Sequence, residues 1–451
     1  MFPRVAARIA SLSALCLVLS VLAGGPARAQ PALPQLAPCP REIPADTNCY
    51  AGRDTAGAYY WIAIPANWNR VLVVHAHGGP DLGPPTPRRS HADLARWSVL
   101  VKAGYAWAGS SYRRGGYGVT MAAEDVERLR RLFLREFGQP RRTLLHGQSY
   151  GASVAAKAAE LFGGVEGKTA PYDGVVLTSG LLGGAPAAYA FRLDLRVVYQ
   201  YVCRNHPRPD EPQYPLWMGL LPDSPLTHAE LAARIRSCTG IGLPPAQRSA
   251  EQSARLRTIL SVVKIPERTF VSHMNWATWM FRDITQERLQ GRNPFDNHAA
   301  VYADSSDDAA LNAGVARYRA DPLALGQLLA DSRPTGRIPV PVLTLHAIHD
   351  PTAPVELESL YRAIVHHAGH GDRLVQVYTD EAEHSYLSAP EYPALFAALL
   401  DWADKGEKPT PALVAALCKR YEKEYGDGGR EACHVAPGYK PPPLGTRVPA
   451  R

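Results

Sequence analysis

Arg142-Thr143-Leu144-Leu145-His146-Gly147-Gln148-Ser149-Tyr150-Gly151, running on into the small, helix-forming Ala152-Ser153-Val154-Ala155-Ala156-Lys157-Ala158-Ala159-Glu160-Leu161, is the stretch from which the rest of the chain can be read. An apolar run that turns through G-x-S-x-G into a helix reads as a strand, a sharp elbow and the helix behind it. Such a turn leaves space only for small neighbours, which Gly147 and Gly151 supply. The Ser149 hydroxyl then stands at the tip of the turn. The Tyr150 amide opens the helix and points where negative charge on an oxygen would develop. The pentapeptide alone is a weak signal, so its weight depends on what surrounds it.

On the N-terminal side, residues 58–65 and 71–76 read as strands, the second apolar until His75. Residues 105–109 form another short strand, and 122–137 a helix ended by Gly138 and Pro140. On the C-terminal side, 173–179 is the next strand. Strands alternating with helices imply an α/β fold with a mostly parallel sheet. The alternation stops after residue 185. Residues 186–337 are too long for a loop and read as an inserted, mainly helical cap. It resumes with a strand at 340–345, a helix near 355–366, a strand at 374–378 and a last core helix over 392–403. The expected organisation is a leader over 1–29, a first core part over 30–185 whose Pro-rich residues 30–50 wrap the surface, the insert over 186–337, a second core part over 338–404, and a tail over 405–451.

A serine hydroxyl needs a base within hydrogen-bond reach, usually a histidine held by a carboxylate. In a sheet of this kind those partners follow the last two strands, in the order acid then histidine. After the strand at 340–345 comes His346-Ala347-Ile348-His349-Asp350-Pro351, which makes Asp350 the candidate acid, with Glu356 as the alternative. After the strand at 374–378 comes Glu383-His384-Ser385. His384 is the one histidine between that strand and the last core helix, and so the candidate base. His346 and His349 read as structural or pocket-lining. A second oxyanion donor is expected in the loop after residue 76, His77-Gly78-Gly79-Pro80, from Gly79 with Gly78 beside it. Chemistry of this kind requires neither a metal nor another cofactor.

Together these motifs resemble the α/β-hydrolase fold superfamily over residues 58–404. Within it, His77-Gly78-Gly79-Pro80 and Gly147-Gln148-Ser149-Tyr150-Gly151 are similar to the prolyl and tripeptidyl aminopeptidase group. The resemblance implies a sheet flanked by helices, a helical cap, and acyl transfer by a serine triad. Asp81 stands where that group usually has glycine, and so does Ala347 in the acid turn.

The composition is that of an ordinary globular protein, 46% hydrophobic and 20% charged. Arg4 and Arg8, an apolar run over 9–22 and Ala27-Arg28-Ala29 describe a secretory leader cleaved before Gln30. The run is short for a membrane span, and Cys16 inside it lacks the context of a lipidated cysteine. Without the leader the net charge is +4. That balance, with Arg128, Arg130, Arg131 and Arg135 read as a solvated helix face, argues against nucleic-acid binding. Six cysteines remain: Cys39, Cys49, Cys203, Cys238, Cys418 and Cys433. They allow fifteen pairings; the sequence-local pairs Cys39–Cys49, Cys203–Cys238 and Cys418–Cys433 are preferred, in a secreted or periplasmic protein. No C-x-x-C spacing suggests zinc.

The function expected from these residues is serine hydrolysis of a carboxylic ester, with Trp217, Trp276, Trp279 and Phe295 of the insert as candidate pocket residues. The alternative is an aminopeptidase or amidase, for which Asp304, Asp307 and Asp308 are candidate amino-terminus ligands. A third possibility, a non-enzymatic binding protein on the same scaffold, usually lacks one triad residue. The expected partners are a small ester or a short peptide, with no nucleic acid and no membrane anchor after leader cleavage.

Overall fold

The computed structural model describes residue 1 and residues 33–163 and 170–451; the leader, its cleavage point and Cys16 lie outside the described residues. Nine strands form one sheet in the order β1-β2-β3-β5-β4-β6-β7-β8-β9. They are β1 (Gln35–Ala37), β2 (Asn48–Arg53), β3 (Tyr59–Ile64), β4 (Val71–Ala76), β5 (Ala106–Ser110), β6 (Arg142–Gln148), β7 (Gly174–Thr178), β8 (Val342–Ala347) and β9 (Leu374–Thr379). The first three strands pair antiparallel, as do β3 and β5, while every pair from β5 to β9 is parallel. This is the α/β-hydrolase architecture, a mostly parallel sheet flanked by helices. From β4 the chain moves one way to β5 and then the other way to β6. The crevice at that reversal, beyond the C-terminal ends of the strands, is where such sheets hold ligands.

Central strands are buried on both sides, and their residues alternate between two apolar layers. Leu72, Val74 and Ala76 of β4 face one layer, and Val71 and Val73 the other. The first layer holds α3 (Val119–Phe137) and α4 (Tyr150–Gly163); the second holds α1 (Pro87–Arg96), α2 (Ser98–Lys102) and, from the far end of the chain, α12 (Glu391–Lys405) and α13 (Pro411–Tyr425). Between β7 and β8 all regular structure is helical: α5 (Ala185–Cys203), α6 (His228–Thr239), α7 (Ala250–Val263), α8 (Phe270–Asn275), α9 (Asp308–Gly314) and α10 (Pro322–Ser332), with short 3₁₀ turns. From α8 the chain continues into wider π-type turns at Trp276–Met280 and Asp283–Arg288. Then follow α11 (Leu357–His367), α12 (Glu391–Lys405) and α13 (Pro411–Tyr425).

Two carboxylates of the insert fasten it to the core. Asp283 accepts from the Tyr117 amide at 2.6 Å, and Asp331 accepts from the amides of Val119 and Thr120, each at 2.9 Å. The Asp331 bonds satisfy donors that the first turn of α3 would otherwise leave open.

Several expectations need correction. Residues 30–50 do not simply wrap the surface: β1 and β2 extend the sheet. The tail joins the core: α13 packs on α12, and Val435 bridges to Thr379. The arginine face of α3 is only partly solvated. Arg131 and Arg135 are exposed, but Arg130 grips the buried Glu127 through two bonds of 2.8 Å, and Arg128 reaches Asp54 at 2.7 Å. Disulfides join Cys39 to Cys49, Cys203 to Cys238 and Cys418 to Cys433. No helix among the described residues is long and apolar enough to cross a membrane.

Candidate active site

Ser149 caps β6 with φ +58°, a left-handed conformation that a serine adopts only at a cost. The surroundings enforce it. The Ser149 amide donates to the Thr178 carbonyl at 2.9 Å on the neighbouring strand. Behind it, α4 lies so close to β4 that a Cβ on Gly151 would come within 2.0 Å of the Ala76 carbonyl oxygen, and one on Gly147 within 2.2 Å of the Gly151 oxygen. The glycines of the pentapeptide are therefore required by contact between backbones.

The structure brings three of the sequence-selected residues into one hydrogen-bonded row. Ser149 Oγ lies 2.8 Å from His384 Nε2, and His384 Nδ1 lies 2.7 Å from Asp350 Oδ2. The tautomer this network assigns has Nδ1–H donating to Asp350 and Nε2 accepting from the serine hydroxyl. Asp350 follows β8, and its other oxygen accepts from the amides of Thr352 at 2.8 Å and Ala353 at 2.9 Å, which fixes the carboxylate plane. Burial alone would raise the Asp350 carboxyl; His384 and His346, facing it, outweigh burial and hold it well below the usual carboxylate range.

His346 lies behind the acid, fully buried between two carboxylates. Its Nε2 is 3.4 Å from Asp350 Oδ2, and its Nδ1 is 3.2 Å from Glu358 Oε1. Burial would lower its pKa, but the two carboxylates outweigh burial and raise it to about 10. It is therefore a buried cation at neutral pH. Glu358 is held in turn by Thr344 at 2.8 Å and Gln376 at 2.6 Å. The structural reading of His346 fits this position, whereas His349 is exposed and lies 3.2 Å from Asp380. Glu356, the alternative acid, precedes α11 and makes no hydrogen bond to His384.

The loop after β4 approaches the same place. Gly79 has φ +59°, which suits glycine, and its amide makes no hydrogen bond within the described residues. Gly78 packs against Gln148, so closely that a Cβ there would sit 2.2 Å from Gln148 Oε1. The Arg89 guanidinium donates to the Gly78 carbonyl, and Tyr112 donates from its hydroxyl to the His77 carbonyl at 3.0 Å. His77 stacks on Tyr112 with ring centres 3.9 Å apart, and burial, with Arg89 nearby, pulls its pKa down to about 3. It is a neutral support of the loop. Tyr150 opens α4; its ring packs on Tyr117, and its hydroxyl accepts from the Gly118 amide at 3.1 Å.

Two residues at the site were not singled out from the sequence. Gln148 donates from Nε2 to the His384 carbonyl at 3.1 Å, so it ties the histidine loop to the glycine loop. Its position inside the pentapeptide was the available signal. His273 of α8 lies 3.0 Å through Nε2 from the Pro351 carbonyl, directly after the acid. No local pattern marks it.

The four candidate pocket residues have different neighbours. Trp276 stacks against Tyr189, which packs on Tyr117 beside Tyr150. Trp279 stacks instead on His228 at 3.7 Å, Phe295 is buried against Phe281, and Trp217 is half-buried in the insert. Two of the three candidate acids are engaged locally: Asp307 caps α9 through the Ala310 amide, and Asp308 accepts from Ser305.

No described protein family matches the chain. An o-phthalyl amidase of Xanthobacter agilis is 32% identical over 109 residues, which are 24% of this chain and 22% of that protein. The chain thus spans about a fifth of the length of the curated relative it matches. Among solved structures, an esterase from Aspergillus oryzae is 18% identical, with 80% of each chain covered and a TM-score of 0.43. Feruloyl esterase B from Aspergillus oryzae is 12% identical, with 85% of this chain and 89% of that chain covered and a TM-score of 0.41.

Proposed function

We propose that this protein is an exported serine hydrolase that cleaves carboxylic ester bonds through an acyl-enzyme. The observation that carries the reading is the unbroken row Ser149–His384–Asp350, with contacts of 2.8 and 2.7 Å. In this reading His384 Nε2 takes the Ser149 proton as Oγ attacks the substrate carbonyl carbon. The oxyanion is received by the amides of Tyr150 and Gly79. Asp350 keeps the proton on Nδ1 and stabilises the imidazolium that forms. The imidazolium then gives its proton to the departing alkoxide. Water, deprotonated by the same His384, attacks the acyl-enzyme, and the returning proton restores Ser149 as the acid leaves. Export is favoured by the three disulfides, which form and persist in oxidising compartments. The same residues serve amide cleavage when Nε2–H protonates a leaving amine. The relative named an o-phthalyl amidase favours keeping that second reading.

The test is paired hydrolysis of 4-nitrophenyl acyl esters and aminoacyl 4-nitroanilides, with Ser149→Ala as control. Ester turnover lost in the variant supports the esterase. Efficient anilide turnover moves the reading to a peptidase or amidase. Activity that persists in Ser149→Ala overturns the site.

A further inference from the structure

Arg192 of α5 is 2% exposed and has no carboxylate within ion-pair distance among the described residues. Its guanidinium is stacked among rings, 4.6 Å from the centres of Phe191 and Trp276 and 5.1 Å from Tyr189. Rings satisfy the faces of a guanidinium, not the N–H groups around its edge. Of those, Nη1 reaches only the Ala188 carbonyl at 3.4 Å, and Nε has no partner.

Arg196, one turn further along the same helix and equally buried, provides the contrast. Its Nη1 bonds His206 Nε2 and Thr278 Oγ1, each at 2.8 Å, and the Gly219 carbonyl at 3.3 Å. Nε of Arg196, like that of Arg192, has no partner, but its Nη groups are held by the insert, whereas those of Arg192 have only the Ala188 carbonyl among the described residues. Buried charges are ordinarily paired, because an unpaired one forfeits its hydration without replacement. Burial lowers the Arg192 pKa only to about 10, so the charge persists at neutral pH.

Two chains of contacts connect Arg192 to the triad. Through Tyr189 and Tyr117 it reaches Tyr150, the residue after Ser149. Through Phe191 it reaches His273, which bonds the Pro351 carbonyl beside Asp350. Burial, with the Arg192 charge nearby, pulls the His273 pKa down to about 3.

We propose that Arg192 is the anion-binding residue of the substrate site, and that the substrate carries a free carboxylate besides the carbonyl to be cleaved. The inference rests on the serine-hydrolase reading and narrows its substrate class. A planar guanidinium with open edges matches a carboxylate in a forked pair. The aromatic walls keep water from competing with that pair.

The test compares methyl benzoate with the monomethyl esters of benzene-1,2-, 1,3- and 1,4-dicarboxylic acids, on the whole protein. In the native enzyme at least one charged ester is expected to exceed methyl benzoate in kcat/KM by about tenfold or more, the scale of one charge-assisted hydrogen bond. In Arg192→Met that ratio is expected to fall at least tenfold, with partial recovery in Arg192→Lys. The second measurement is calorimetric binding of the three dicarboxylates and of neutral benzamide to Ser149→Ala and to Ser149→Ala/Arg192→Met. Dicarboxylate affinity should drop at least tenfold in the double variant relative to benzamide. Methyl benzoate preferred over every charged ester in the native enzyme, or both ratios unchanged in folded Arg192→Met variants, overturns the proposal. Ester turnover that survives Ser149→Ala would instead sink the hydrolase reading, and the binding measurement would still decide the anion site. If the methionine variant does not fold, the native preference and the native-site binding series decide alone.

Discussion

Replacing Gly151 by alanine tests whether the backbone packing behind the elbow sets the chemistry in front of it. The new Cβ would stand 2.0 Å from the Ala76 carbonyl oxygen, 2.6 Å from the His77 oxygen and 2.7 Å from the Ala76 carbonyl carbon. A relaxed carbon–oxygen contact is about 3.3 Å, so α4 and the end of β4 must separate by roughly 1.3 Å. β4 cannot give way, because Ala76 is paired on both sides, with Ser110 and with Gly147. The start of α4 must move, and with it the Tyr150 amide, away from the Gly79 amide. A misplacement of about 1 Å costs on the order of 100-fold in rate, and overpacking costs about 1–3 kcal/mol of stability. The control is Gly326→Ala in α10, where an added Cβ meets nothing within 4 Å. That change should leave activity intact and stabilise the helix by about 0.5–1 kcal/mol. The assay is kcat/KM on 4-nitrophenyl acetate with thermal unfolding followed by circular dichroism. A Gly151→Ala protein within threefold of native activity and with an unchanged melting temperature would refute the reasoning.

Asp350→Asn preserves the shape of the side chain but removes its preference for Nδ1–H on His384. It should lower kcat by about 10³- to 10⁴-fold with little change in fold, read from kinetics and circular dichroism; a loss below tenfold would contradict the acid's role. His346, raised to about 10 in the folded chain against about 6.5 when unfolded, should stabilise the fold fully below pH 6.5 and progressively less up to pH 10. The melting temperature of the native protein should therefore fall more steeply from pH 7 to 10 than that of His346→Gln. Equal slopes would show that His346 is not charged in the folded protein.

What the sequence made legible follows from how its signals are written. β4, β6, β7 and β8 are buried on both faces, so they appear as short apolar runs. Ser149, Asp350 and His384 stand just beyond the ends of such runs, and the structure brings them within hydrogen-bond distance. β1 escaped because Gln35-Leu36-Ala37 is a three-residue edge strand, and β2 because Asn48–Arg53 begins and ends on polar residues and carries a glycine at position 52. Helix α1 escaped because Pro87-Arg88-Arg89-Ser90 looks like loop. The aromatic residues of the insert gave composition without geometry: Trp276 and Phe295 read alike in the chain, yet one reaches the row of rings beside Tyr150 and the other packs on Phe281. The tie from Gln148 to His384, the cation of His346 between two acids, and the missing partner of Arg192 are all relations across distant segments. No local pattern encodes them.

The central claim is that Ser149 is a nucleophile activated by His384. It is tested most directly by reacting the protein with a fluorophosphonate and mapping the adduct by peptide mass spectrometry. Attack by the serine oxygen on phosphorus expels fluoride and leaves a stable phosphonyl ester. The account predicts one adduct, on Ser149, absent from Ser149→Ala and formed at least 100-fold more slowly by His384→Ala. An adduct on another residue, or a labelling rate indifferent to His384, would contradict it.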